Sequence, residues 1–206
     1  MHEIKERPIL FSAPMVRAIL DGRKTVTRRP LKLPHGFWET SVTGELVPIP
    51  VNCPYGKPGD RLYVRETFNR TNPGGAEGVY YYRADGEFPK SIGGGKFTDA
   101  ESWKPSIHMP RAASRILLEI TDVRVERLQD ISEGQAVDEG LIWEGVKDGQ
   151  TYWNHTDHRY PPGSHQQLSV SGTDAVSAFR NLWKSTGGDW EANPWVWVVE
   201  FKRVQP

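Results

Sequence analysis

Ser114-Arg115-Ile116-Leu117-Leu118-Glu119-Ile120-Thr121-Asp122-Val123-Arg124-Val125-Glu126-Arg127-Leu128 is the stretch that decides the fold class. Apolar side chains fall at Ile116, Leu118 and Ile120 and then at Val123 and Val125, the period of two that a strand imposes. The slip near Asp122 predicts a bulge or bend within one long strand. Just beyond it, Ser132 with Gln135 three residues on reads as a capping box that opens a short helix. Residues 173–185 have helical spacing, with Ala175, Val176, Ala178, Phe179, Leu182 and Trp183 on one apolar face. Residues 195–204 alternate as a closing strand, whose inward set is either Trp195, Trp197, Val199 and Phe201 or its complement.

Toward the N-terminus the signals continue. Lys57-Pro58-Gly59-Asp60 is a turn, residues 61–68 alternate well enough for a strand, and residues 79–83 form another strand candidate. Ser12 can cap a helix in which Pro14 is tolerated and Met15, Val16, Ile19 and Leu20 make the apolar stripe. Asp21-Gly22 closes it, and residues 23–30 leave it as a short strand or extended loop. Strands at irregular spacing with two or three short helices imply one α+β domain over residues 1–206, built around a small barrel. Excursions at 31–56, 69–106 and 143–172 would decorate one face of it. No repeat of solenoid period is present.

The 206 residues carry 26 basic and 26 acidic side chains, which removes the simplest argument for a duplex-DNA coat or a polybasic membrane binder. The charge is nonetheless uneven. Residues 1–34 hold eight basic side chains against three acidic, a net of +5, whereas residues 119–148 hold three against nine, a net of −6. An anionic ligand would favour the first segment if it is exposed; alternatively the two segments pack together and neutralise each other. The single cysteine, Cys53, excludes an internal disulfide framework, and no apolar run reaches the length of a membrane span. With an opening that is no signal peptide, these features imply a soluble cytoplasmic protein.

Lys24 and Thr27 are the residues with chemical potential in the segment after the first helix. A threonine hydroxyl becomes a nucleophile when a base takes its proton, a lysine can serve once burial lowers its pKa, and a nearby carboxylate can orient or shuttle. On an ideal strand residues three apart face opposite ways, so the chain must turn between them for the two to converge. Read alone, the pair is a surface strand with a solvated lysine.

Gly22-Arg23-Lys24-Thr25-Val26-Thr27-Arg28-Arg29 resembles the Gly-x-Lys-x-x-Thr-x-Arg signature of the ASCH domain family, within the PUA-like superfamily. Three further blocks resemble that family in the same order: residues 57–64 its Gly-Asp turn and second strand, 131–141 its acidic helix, and 197–202 its terminal strand. Together they cover about half of the chain, and the whole is most like the larger, tryptophan-rich members of bacteriophages and prophages. The resemblance implies a small mixed β-barrel with short helices at its mouth and a cleft that takes nucleic acid or nucleosides. Small bacterial members that deacetylate N(4)-acetylcytidine use a lysine, a threonine and a glutamate, which match Lys24, Thr27 and Glu139. Thr27 would attack the acyl carbonyl, Lys24 would act as base or polarise the oxyanion, and Glu139 would support proton transfer. Arg28 and Arg29, with Arg65 and Glu66 at the barrel mouth, would bind substrate; Glu66 reads equally as an ion-pair partner of Arg28 or Arg29. The expected partner is RNA, a nucleoside or a nucleotide, with no cofactor and no metal. Two alternatives remain: a non-catalytic RNA or modified-base binding module or ribonuclease, and a phage accessory or interaction protein.

Weaker signals are read more plainly. Trp103, Trp143 and Trp153 lie in polar excursions, where they either stack on bases or pin loops, while Trp183, Trp190, Trp195 and Trp197 read as core. His155, His158 and His165 share one loop without metal-site spacing, and Gly93-Gly94-Gly95 lacks the strand and helix that a phosphate loop needs.

Overall fold

The structure is a computed structural model that describes residues 3–32, 38–44, 46–48, 53–71, 78–86, 91–92, 95–96, 103–147, 150–154 and 172–204. The main sheet holds β1 (Glu6–Leu10), β2 (Val26–Pro30), β5 (Arg61–Arg65), β10 (Leu117–Arg127) and β13 (Trp195–Val204), in the spatial order β1-β5-β10-β13-β2. β1 runs parallel to β5 and every other neighbour is antiparallel. The helices are α1 (Ala13–Leu20), α2 (Glu133–Asp138) and α3 (Ala175–Ser185). The fold is α+β, but the sheet is not closed into the small barrel that the sequence led us to expect: β1 and β2 are its two edges and do not pair.

The long strand read from 114–128 is β10, and its register against β13 shifts between Ile120 and Asp122, where the apolar phase slips. The capping box forms with both of its bonds, Ser132 Oγ accepting from Gln135 N–H and Gln135 Oε1 accepting from Ser132 N–H. α1 has its proline in the first turn, but the Ser12 side chain bonds none of its N–H groups.

Two further expectations need correction. The strand read over 61–68 is broken, because β5 stops at Arg65 and Phe68 opens β6 (Phe68–Thr71), which pairs with β7 (Val79–Tyr82). Between them Glu66 turns inward, 1% exposed, to a partner distant in sequence. The excursion at 143–172 also contains an unread hairpin, β11 (Ile142–Lys147) with β12 (Gln150–Asn154). Among the described residues the excursion at 31–56 holds a short hairpin, β3 (Trp38–Thr40) with β4 (Leu46–Pro48), and that at 69–106 holds, besides β7, the pair β8 (Ser91–Ile92) with β9 (Gly95–Lys96). His155, His158, His165, Gly93 and Gly94 lie outside the described residues.

The question of which set of β13 faces inward has the answer that both do. Trp197, Val199 and Phe201 face α1 together with Ile9, Phe11, Val16 and Ile19, and Val196 and Val198 face α2 and α3. The second cluster holds Phe179, Trp183 and Trp190, as the helical face of 173–185 predicts. Trp153 packs at its rim, whereas Trp143 is 57% exposed. Among the described residues no helix is long and apolar enough to cross a membrane.

Gly140, just after α2, fits tightly against α1. It has φ +99°, and a Cβ there would lie 2.8 Å from the Ala18 Cβ and 3.1 Å from the Lys24 Cβ. Gly140→Ala should therefore lower stability by about 1–3 kcal/mol, seen as a reduced urea midpoint at unchanged slope.

Candidate functional site

The turn after α1 delivers Lys24 to the end of α2. Gly22 takes φ +75°, and the Arg23 and Lys24 N–H groups both donate to Ala18 O, at 2.9 and 3.0 Å. Lys24 then makes an isolated antiparallel bridge with Glu139, and Thr25 N donates to Asp138 O at 2.9 Å. Lys24 is thus outside the regular strand, which begins at Val26.

The Lys24 ammonium is wholly buried and donates to three acceptors: Glu139 Oε2 at 2.5 Å, Val26 O at 2.8 Å and Glu139 O at 3.0 Å. The Phe11 ring centroid lies 5.7 Å from Nζ, within cation–π range. Burial pulls the Lys24 pKa below the ordinary lysine value, and the Glu139 carboxylate opposes that shift.

Alternation along β2 sorts the remaining residues by face. Thr27 and Arg29 pair with Val199 and Trp197 and so lie on the α1 side. Val26 and Arg28 lie on the α3 side. Thr27 is 3% exposed, and its side chain makes no hydrogen bond among the described residues. Arg29 donates to Leu10 O at 2.7 Å and lies 5.2 Å from the Phe11 centroid.

Arg28, expected to bind substrate, instead points away from Thr27. Its guanidinium has no exposed surface, lies 6.0 Å from the Phe179 centroid, and meets Glu139 Oε1 and Glu126 Oε2, each at 3.3 Å. Glu126 continues to Arg124 at 2.5 Å, which also meets Asp122 at 3.0 Å and Glu200 at 2.5 Å. An unbroken ladder of charge therefore runs from Lys24 to the surface. The basic first segment and the acidic 119–148 segment do pack together here, through Lys24 and Arg28 against Glu139 and Glu126.

Arg65 and Glu66 lie elsewhere. Glu66 is gripped by Arg115 rather than by Arg28 or Arg29, with Nε–Oε1 at 2.9 Å and NH2–Oε2 at 3.1 Å. Arg115 also bonds Asp85 at 2.7 Å and stacks 3.9 Å from the Tyr82 centroid. Burial pushes Glu66 above the usual carboxylate range while Arg115 opposes it. Arg65 donates to Ile107 O. The structure thus unites Lys24, Glu139 and Arg28, sets Thr27 and Arg29 on the adjoining face, and leaves Glu66 and Arg65 in a separate clasp. Phe11, Glu126 and Arg115 were not read as site residues. Phe11 precedes the helix cap as one more apolar residue, and the partners of the other two are set only by the tertiary fold.

Among the described residues no group of three or more His, Cys, Asp or Glu side chains could hold a metal ion. Fold and site together define an α+β protein with a buried lysine–glutamate pair at the edge of an open five-stranded sheet. The chain matches no family model, no curated protein and no solved structure.

Two outcomes follow from the pair. Glu139→Gln leaves two desolvated cations without their shared carboxylate and should cost about 3–5 kcal/mol in urea unfolding; Lys24→Met with Glu139→Leu should cost less. The lowered Lys24 pKa also has a signed consequence. Between that value and the unfolded value near 10.5, the unfolded chain binds more protons, so this residue's contribution to stability rises with pH. Urea titrations on the alkaline side should show that rise in the wild type and lose it in Lys24→Met.

Proposed function

We propose that the chain is a PUA-like protein of ASCH type that removes an acyl group from the exocyclic amine of a cytidine-like nucleoside. The observation that carries this reading is a desolvated Lys24–Glu139 pair at 2.5 Å with Thr27, whose hydroxyl no described residue engages, three positions along the chain. Arg29 on β2 also reaches the other sheet edge, donating to Leu10 O of β1 at 2.7 Å and lying 5.2 Å from the Phe11 ring centroid. That approach is in keeping with a barrel-like sheet.

In this reaction Lys24 hands a proton to Glu139, and the neutral amine then accepts the Thr27 hydroxyl proton. Thr27 Oγ1 bonds to the acyl carbon, and the tetrahedral adduct collapses with cleavage of the carbon–nitrogen bond. The leaving amine takes the proton that Lys24 received. Water, activated along the same route, hydrolyses the threonyl ester, releasing the acid and restoring Thr27. Overall one amide and one water become one amine and one carboxylic acid. Arg29, the cation on the Thr27 face, is the residue suited to the carbonyl oxygen or an adjacent phosphate.

One observation favours a second reading, a module that binds RNA or a modified base without reaction. All three Lys24 ammonium protons already have acceptors, which stabilises the charged form rather than the base. Incubation with N(4)-acetylcytidine separates the two. The hydrolase should release acetate, with loss of about 10³-fold or more in Thr27→Ala and Lys24→Met and substantial retention in Thr27→Ser. Binding of the nucleoside with no release by the wild type would establish the second reading.

A further inference from the structure

The two edges of the main sheet face each other across a seam whose cations, Arg7 and Arg29, meet no carboxylate among the described residues. On β1, Arg7 shares its face with Ile9 and Phe11, which pack beneath α1. From β2, Arg29 reaches across to Leu10 O and the Phe11 ring. The turn at 53–56 packs Cys53 and Tyr55 onto the same cluster, and it is pinned at Gly56, where a Cβ would meet the Asp60 Oδ2 at 2.9 Å. Arg7 acts electrostatically on Cys53 and Arg29 on Tyr55.

Both arginines have a buried Nε with no hydrogen-bond partner. The Arg7 side chain makes no hydrogen bond or ion pair with any residue among those described. By contrast the guanidiniums of Arg28 and Arg115 are met by carboxylates, Arg28 by Glu139 and Glu126 and Arg115 by Glu66. A partly desolvated guanidinium with nothing opposite it is costly unless an anion completes it. The uncapped first turn of α1 opens beside Phe11 and adds its positive dipole end to the same region.

We propose that this seam is an oxyanion site for the phosphate of a nucleotide, with Arg7 and Arg29 as the two guanidiniums. That the phosphate belongs to a nucleotide rests on the reading of the Thr27 site above, whereas the affinity for the anion does not. Two planar forks on opposite sheet edges suit a tetrahedral oxyanion better than a base edge. The phosphate comes either from a mononucleotide or from an RNA strand.

Calorimetric titration of the full chain with cytidine, cytidine monophosphate, a short single-stranded RNA and inorganic phosphate tests it. A phosphorylated ligand should bind at least about tenfold tighter than cytidine; preference for the monophosphate or for the RNA identifies the source. Arg7→Gln should bring the phosphorylated ligands down to the cytidine level and leave cytidine unchanged, and Arg7→Lys should recover part of the loss. Its urea midpoint should stay near wild type, because no internal partner is lost. Equal affinity for cytidine and its monophosphate, or full nucleotide affinity in Arg7→Gln, would overturn the site. Deacylation without phosphate preference would remove the seam and leave the Thr27 reading; phosphate preference without deacylation would do the reverse.

Discussion

A carboxylate shared between two cations taken out of water holds the edge of the main sheet. Thr25 O accepts from Phe201 N at 2.8 Å, so the next carbonyl, Val26 O, turns to the unpaired side of β2. Lys24 covers that carbonyl, and Glu139 holds Lys24 in place while its other oxygen meets Arg28. An uncovered edge invites pairing with another chain, and here the cover is electrostatic rather than a further strand. Such an arrangement is a poor source of net stability, because desolvation of the ions offsets most of their attraction and apolar residues of similar volume would often hold as well. Its value is conformational: only one placement of α2 against β2 satisfies all three charges.

That placement joins the two halves of the core. β13 is buried on both faces, with Trp197, Val199 and Phe201 against α1 and Val196 and Val198 against α3. β2 lies alongside it and inherits the same two-sidedness, which is why Thr27 and Arg28, adjacent in sequence, serve opposite sides. The Lys24–Glu139 pair sits at the rim where both sides meet. Phe11 completes the rim by taking two cations on one ring, Lys24 at 5.7 Å and Arg29 at 5.2 Å.

Much of the fold was legible because its elements are locally consistent. The slip at Asp122 marks a real register shift, Ser132 and Gln135 make both capping bonds, and the α3 face is buried as its spacing requires. The hairpin at 142–154 escaped because Trp143 and Val146, 57% and 64% exposed, bury too little to impose a pattern. The break at Glu66 escaped for another reason, since its partner Arg115 is 49 residues away. In the site, Lys24 meets Glu139, 115 residues away, only because the turn after α1 carries it to the end of α2. The direction of Arg28 did not follow, because a period of two sorts faces without saying that both are interior.

The partners of β2 are far away along the chain. Its ladder joins Val26 to Glu200 and Pro30 to Val196, so more than 160 residues intervene. Closing a loop of that size carries an entropic cost before any contact compensates it, and proteins dominated by such pairings fold slowly. Until that closure, β2 has no neighbour and the ammonium of Lys24 stays hydrated. Burial of the Lys24 ammonium and completion of the native topology are therefore one late kinetic event.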